Sequence, residues 1–84
     1  MQIPYIIDGI VRGPVTNTEG REQSVSFTIE FPERLDAVHY SVKVETASGV
    51  ATDRFKERCI DGSRIRAYWM EQDEKVIITK AYFQ

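Results

Sequence analysis

The sequence predicts a small all-β protein: a five-stranded Greek-key barrel with one α-helix between its third and fourth strands. Three observations carry that expectation. The stretch Gln23–Phe31 alternates strictly, with Val25, Phe27, Ile29 and Phe31 apolar and Ser24, Ser26, Thr28 and Glu30 polar between them. Period-two alternation marks a strand with one buried and one wet face, whereas a helix would scatter those four apolar residues around its circumference. Four further runs read as strands, and the period turns helical once, after the third of them. The chain of 84 residues is expected to form one domain spanning residues 1–84, near the lower limit for a core that holds without staples.

The first strand is expected over Tyr5–Val11, with Tyr5, Ile7, Gly9 and Val11 on one face and Ile6, Asp8, Ile10 and Arg12 on the other. Gly9 inside it marks a bulge or a sharp bend. Gly13-Pro14 ends the run, and Asn17–Gly20 supplies turn chemistry. Strands one and two then form a hairpin whose flexible tip carries Arg12 and Arg21.

Phe31-Pro32 closes the second strand, because proline cannot donate to a ladder. Val38–Glu45 alternates again, Tyr40, Val42 and Val44 against His39, Ser41, Lys43 and Glu45. After the loop Thr46–Gly49, the apolar positions Val50, Ala51, Phe55 and Cys59 predict a helix over Val50–Ile60. Either Thr52 or Ser48 is its N-cap, Asp53 sits in its first turn, and Asp61-Gly62 stops it.

The fourth strand, Ser63–Met70, sets Ile65, Ala67 and Trp69 against Arg64, Arg66, Tyr68 and Met70. Glu71–Glu74 is a charged turn. The fifth strand, Lys75–Phe83, is apolar enough that its face assignment stays open. Phe27, Phe31 and Tyr40 are expected in the core, and Trp69 inside it against Phe55 and Cys59, with Cys59 a small buried hydrophobe.

Composition narrows the function. A single cysteine forms no internal disulfide, and with one histidine the chain cannot assemble a zinc site of nitrogen and sulfur ligands. No cofactor is expected. The start Met1–Tyr5 lacks the basic and apolar segments of a signal peptide, and no apolar run reaches membrane-spanning length. A reduced, soluble, cytoplasmic protein without membrane contact is expected. His39 and Cys59 are isolated, and no phosphate-cradling glycine loop or hydrolase motif is present. The aspartates Asp8, Asp36, Asp53, Asp61 and Asp73 are scattered, so the protein is expected not to be an enzyme. Eleven basic and thirteen acidic residues give a net charge of −2, which argues against a strong nucleic-acid binder. The distribution of charge over faces counts for more than the total.

Five strands with one helix between the third and fourth is the layout of the OB-fold, a barrel that often holds oligonucleotides. Four short pieces carry a closer likeness. They are Ile6–Val11 followed by Gly13-Pro14, Gly20 leading into Val25–Ile29, His39–Val42, and Asp61–Ile65 at the entry to strand four. In these the chain resembles the bacterial single-stranded-DNA-binding proteins and their short relatives, the primosomal PriB-type proteins, over nearly its whole length. Three features depart from the family. The family's long acidic, proline-ending tail is expected to be missing, since nothing like it occurs in Met1–Gln84. His39 stands where an aromatic residue is frequent, and Trp69 where glycine is common.

The resemblance implies single-stranded nucleic acid as the ligand and an assembly of more than one copy. The outward residues suited to the ligand are Ser26, Thr28, His39, Ser41 and Lys43 on strands two and three, which offer donors to phosphates. Arg64, Arg66 and Tyr68 follow on strand four, and Arg12 on neighbouring strand one is expected to join Arg66 and Tyr68 in a patch that stacks a base. Ile6 and Ile10 with Tyr68 and Met70 form an apolar strip, which a homodimer paired through strand one would cover. The alternative is that Gly9 bulges, swaps the phase and turns Ile10 inward. The first functional reading is a non-enzymatic single-stranded-DNA binder in replication, recombination or repair. The second is a protein-interaction module on the same barrel, docking a replication, phage or plasmid protein on the apolar strip.

Overall fold

The computed structural model describes residues 5–31 and 40–84. Its elements are β1 Tyr5–Glu19, β2 Glu22–Phe31, β3 Tyr40–Thr46, α1 Asp53–Arg58, β4 Arg64–Gln72 and β5 Lys75–Phe83. The strands close a barrel in the order β1-β2-β3-β5-β4, and α1, the one helix among the described residues, lies between β3 and β4, as in an OB-fold. All neighbours are antiparallel except β3 and β5, whose parallel contact is short, from Val44↔Val76 to Thr46↔Ile78.

The inner faces of the strands supply the core: Val11, Val25, Phe27, Ile29, Val44, Ile65, Ala67 and Ile78, with Phe55 and Cys59 from the helix side. The strict alternation in β2 does what it predicts, burying Val25, Phe27 and Ile29 while Ser26, Thr28 and Glu30 stay partly wet. Phe31, at the strand's end, is only half-buried. Thr46 is the one buried polar residue among those described, and its hydroxyl accepts the Val25 N–H at 2.9 Å. Burial pushes the Cys59 thiol up to about 11, so it stays protonated and unreactive at neutral pH.

Several local expectations are corrected. β1 does not end at Gly13-Pro14 but runs on for 15 residues in all. The β1–β2 register shifts between Arg12 and Val15, and Gly13 adopts φ +58°. Glycine and proline therefore sit in a bulge, where a left-handed residue and a missing ladder donor are both tolerated. The turn is only Gly20-Arg21, so Arg21 is at the hairpin tip and Arg12 is on the barrel wall.

Gly9 makes no bulge: β1 pairs with β4 without interruption from Tyr5 to Ile10. It serves a close approach instead, since a Cβ there would collide with Ile29 Cγ2 and lie 2.6 Å from the Glu30 carbonyl oxygen. The phase does not swap. Ile6 is exposed, while Ile10 is half-covered.

The helix is shorter than the apolar spacing suggests. Thr52, not Ser48, is its N-cap, accepting the Phe55 N–H at 3.2 Å. It ends at Cys59, and Asp61-Gly62 forms a separate turn into β4, where the Gly62 N–H reaches the Val11 carbonyl at 2.8 Å. Trp69 packs against the edge of the core, but its ring stacks on Tyr5 at 4.8 Å. The aromatic neighbours of Phe55 are Phe27 at 6.5 Å and Phe83 at 5.3 Å. Val38, His39 and the Tyr40 side chain lie outside the described residues.

A second bulge decides the face of β5. Tyr68 pairs with Lys80 and Trp69 with Ile78, leaving Thr79 as the extra residue, its hydroxyl donating to the Tyr68 carbonyl at 3.2 Å. Beyond it Ala81 and Phe83 pack inward, and Lys80 and Tyr82 face out.

Candidate functional site

Paired residues on adjacent strands share a face, so the outer wall of β1, β4 and β5 can be read in rows. One row is Ile6–Tyr68–Lys80 and the next is Asp8–Arg66–Tyr82. The Tyr68 and Tyr82 rings meet edge to face, 6.3 Å between centroids, and the Lys80 ammonium lies 5.4 Å from the Tyr82 ring centre. Hydrogen bonding to Tyr82, and after it the charge interaction with the same residue, raises the Lys80 pKa above the ordinary lysine value. Tyr82 is 48% exposed and Tyr68 half-buried, so aromatic surface is open at this point.

The wall continues into a groove of about 500 Å³ between α1 and β5. Phe55, Phe83 and Val50 contribute apolar surface to it, and Arg54, Arg58 and Lys80 are its charged residues; among the described residues no carboxylate lines it. The cleft between the two hairpin tips has the opposite character. Glu19, Glu22, Glu45 and Asp73 line it against one cation, Lys75. In barrels of this layout, oligonucleotides are commonly held by the β2–β3 face and these two tips. Here the cleft between the tips is acidic, which disfavours a polyanion there.

The residues expected from sequence fall into three groups. Arg64, Arg66 and Tyr68 share the outer face of β4, with Arg64 opposite Ile10 and Arg66 opposite Asp8. Ser26, Thr28, Ser41 and Lys43 share the β2–β3 face: Thr28 pairs with Lys43, and Ser26 with Glu45. Ser26 accepts a hydrogen bond from the Asn17 side chain at 2.8 Å, and Lys43 is exposed without an ion-pair partner among the described residues. His39 lies outside the described residues. Arg12 does not join Arg66 and Tyr68. It lies opposite Thr28 on β2, past the end of the β1–β4 ladder, and its guanidinium is taken by Glu30 at 3.5 Å and Asp61 at 3.3 Å.

Sequence reading missed Lys80, Tyr82, Arg54 and Arg58. The signal for the first two was the i, i+2 spacing of Lys80 and Tyr82. For the arginines it was the i, i+4 spacing that puts two cations on one side of a helix. Among the described residues no helix is long and apolar enough to cross a membrane. No family model matches the chain, and no curated protein matches its sequence.

Proposed function

We propose that the protein binds single-stranded nucleic acid, DNA first, without catalysing a reaction on it, and serves replication, recombination or repair. The observation that carries this reading is the pair of tyrosines on the β4–β5 wall set between two cations, Arg66 and Lys80. Aromatic rings stack bases whatever the sequence, and neighbouring cations take the phosphates. Segregation of charge supports it: Asp8 pairs with Arg66 on the wall itself, yet beside the rings a chain of net charge −2 presents a groove whose described lining holds three cations and no carboxylate. The resemblance to the single-stranded-DNA-binding and PriB-type proteins points the same way. So do the hydroxyls of Ser26, Thr28 and Ser41 and the ammonium of Lys43, a second and weaker set of donors.

A titration with labelled oligo-dT at about 50 mM and about 200 mM salt tests the proposal, since affinity carried by phosphate contacts falls steeply over that range. Absence of binding by long oligo-dT at the lower salt overturns it. One observation favours the second reading, a protein-docking module: Ile6 stays more than half exposed on the outer wall, opposite Tyr68. A two-fold assembly through β1 reconciles the two readings, because a second barrel on one strand multiplies affinity without new contacts.

A further inference from the structure

We infer that the groove between α1 and β5 is the track along which a bound strand runs from the Tyr68–Tyr82 platform, and that the acidic cleft between the hairpin tips holds no nucleic acid. The inference rests on the proposed function and names the path of that ligand. Continuity favours this path. Lys80 and Tyr82 belong to the platform and also form the β5 wall of the groove, so a strand stacked on Tyr82 already lies at its mouth.

Charge favours the same path. Among the described residues Arg54, Arg58 and Lys80 face the groove and no carboxylate lines it, whereas four carboxylates against one ammonium line the cleft. A polyanion is drawn to the first and repelled by the second. Asp53 and Glu57, the acids on α1, are outside the lining, and Asp53 is paired with Lys56 at 3.4 Å.

Rigidity favours it too. Arg54 and Arg58 stand one turn apart, about 6 Å at their Cβ atoms, a step that consecutive phosphates of an extended strand can match. Their helix is capped by Thr52 and anchored by buried Phe55 between Phe27 and Phe83. The cations are thus mounted on a fixed element. The β5 edge adds donors. Past Ile78, whose carbonyl takes the Ala47 N–H at 2.8 Å, no backbone hydrogen bond joins Thr79–Phe83 to the loop or helix among the described residues. Backbone N–H groups on such an edge can bond phosphate oxygens.

The experiment uses the full chain with labelled oligo-dT and two variants, Arg54→Ala/Arg58→Ala and Glu19→Gln/Glu22→Gln/Asp73→Asn. All the substituted side chains are exposed, and circular dichroism verifies that each variant folds. The arginine variant is expected to lose about tenfold in affinity, and its salt slope to fall by about 1.4, two phosphate contacts at ~0.7 each for single strands. The cleft variant is expected to stay within about twofold of the parent, because a strand in the groove passes away from those carboxylates. Unchanged affinity and slope in the arginine variant, with Tyr82→Ala still weakening binding, overturns the track and leaves the proposed function standing. A large gain by the cleft variant overturns it equally. An arginine variant that keeps oligo-dT but loses a poly-glutamate peptide held by the parent makes the groove a peptide site and sinks the inference. Failure of the parent to bind oligo-dT removes the proposed function and the track together.

Discussion

Arg66 and Asp8 stand directly opposite each other on β4 and β1, and the guanidinium forks onto both carboxylate oxygens, Nε to Oδ1 at 2.8 Å and Nη2 to Oδ2 at 3.2 Å. The hydrogen bond from Arg66, and after it its charge, holds the Asp8 carboxyl below its ordinary pKa and raises that of Arg66. Both side chains are more than half exposed, so the pair adds little stability. That contribution is present above the ordinary aspartate range and is lost only as the pH falls through the lowered Asp8 value. Its larger effect is on the ligand. A phosphate reaching Arg66 must compete with a carboxylate already seated in bidentate geometry.

Replacing Asp8 by Asn should therefore tighten oligo-dT binding, because it frees a cation beside Tyr82. The salt slope should steepen by about 0.7, one extra phosphate contact on a single strand. Anisotropy titrations of parent and variant at several salt concentrations measure it. A slope unchanged or shallower would mean that Arg66 does not meet phosphate.

At Gly9 the backbones of β1 and β2 come so close that any side chain strikes Ile29 and the Glu30 carbonyl. Gly9→Ala should cost about 1–3 kcal/mol, the range for overpacking a tight interior. Urea unfolding checks the value through the midpoint at constant slope.

How much of this was legible in the sequence differs from element to element, for physical reasons. The phase of β2 was readable because Val25, Phe27 and Ile29 alternate with polar residues, and burial follows hydropathy directly. Thr52 was readable as one of two caps, since only local chemistry decides it. The face of β5 was not readable. Its apolar run Val76–Ile78 has no period, and the extra residue at Thr79 then inverts the alternation that brings Lys80 and Tyr82 out. The length of β1 was hidden likewise, because Gly13-Pro14 reads as a stop and serves as a bulge. The groove itself depends on α1 meeting β5, a tertiary contact that no local pattern announces.

The β4–β5 hairpin turns on Asp73 and Glu74, at φ 52° and 63°. Positive φ at both central residues is the type I′ arrangement, which favours glycine at the second position. Left-handed backbone costs a side-chain-bearing residue about 1–2 kcal/mol. Glu74→Gly should raise stability by about 1 kcal/mol, part of the relief being returned as chain entropy. Thermal melts would read it as a higher midpoint, and a lower one would mean that this turn geometry is wrong.

Assembly has its own signature. Ile6 is 54% exposed on the outer wall, opposite Tyr68. If two copies cover this strip, Ile6→Lys should give a folded monomer where the parent sediments as a dimer at micromolar concentration. A parent that is monomeric at every concentration leaves the strip for a different partner.

Stacking and charge on the platform can be separated by substitution. Tyr82 offers a half-exposed ring, while Lys80 and Arg66 offer positive charge on either side of the tyrosine pair. Stacking releases no counterions, so Tyr82→Ala should weaken binding by about 1–3 kcal/mol at every salt concentration and leave the slope unaltered. Lys80→Gln should instead flatten the slope by about 0.7, with the loss shrinking as salt rises. Tyr68→Phe, which keeps the ring and removes only the hydroxyl, should match the parent. Tyr68→Ala should fall with Tyr82→Ala. The pattern of the four variants is diagnostic because each removes one physical contribution and leaves the others in place. If Tyr82→Ala changes the slope as Lys80→Gln does, the ring acts by holding the ammonium at 5.4 Å rather than by stacking a base, and the cations alone carry the affinity.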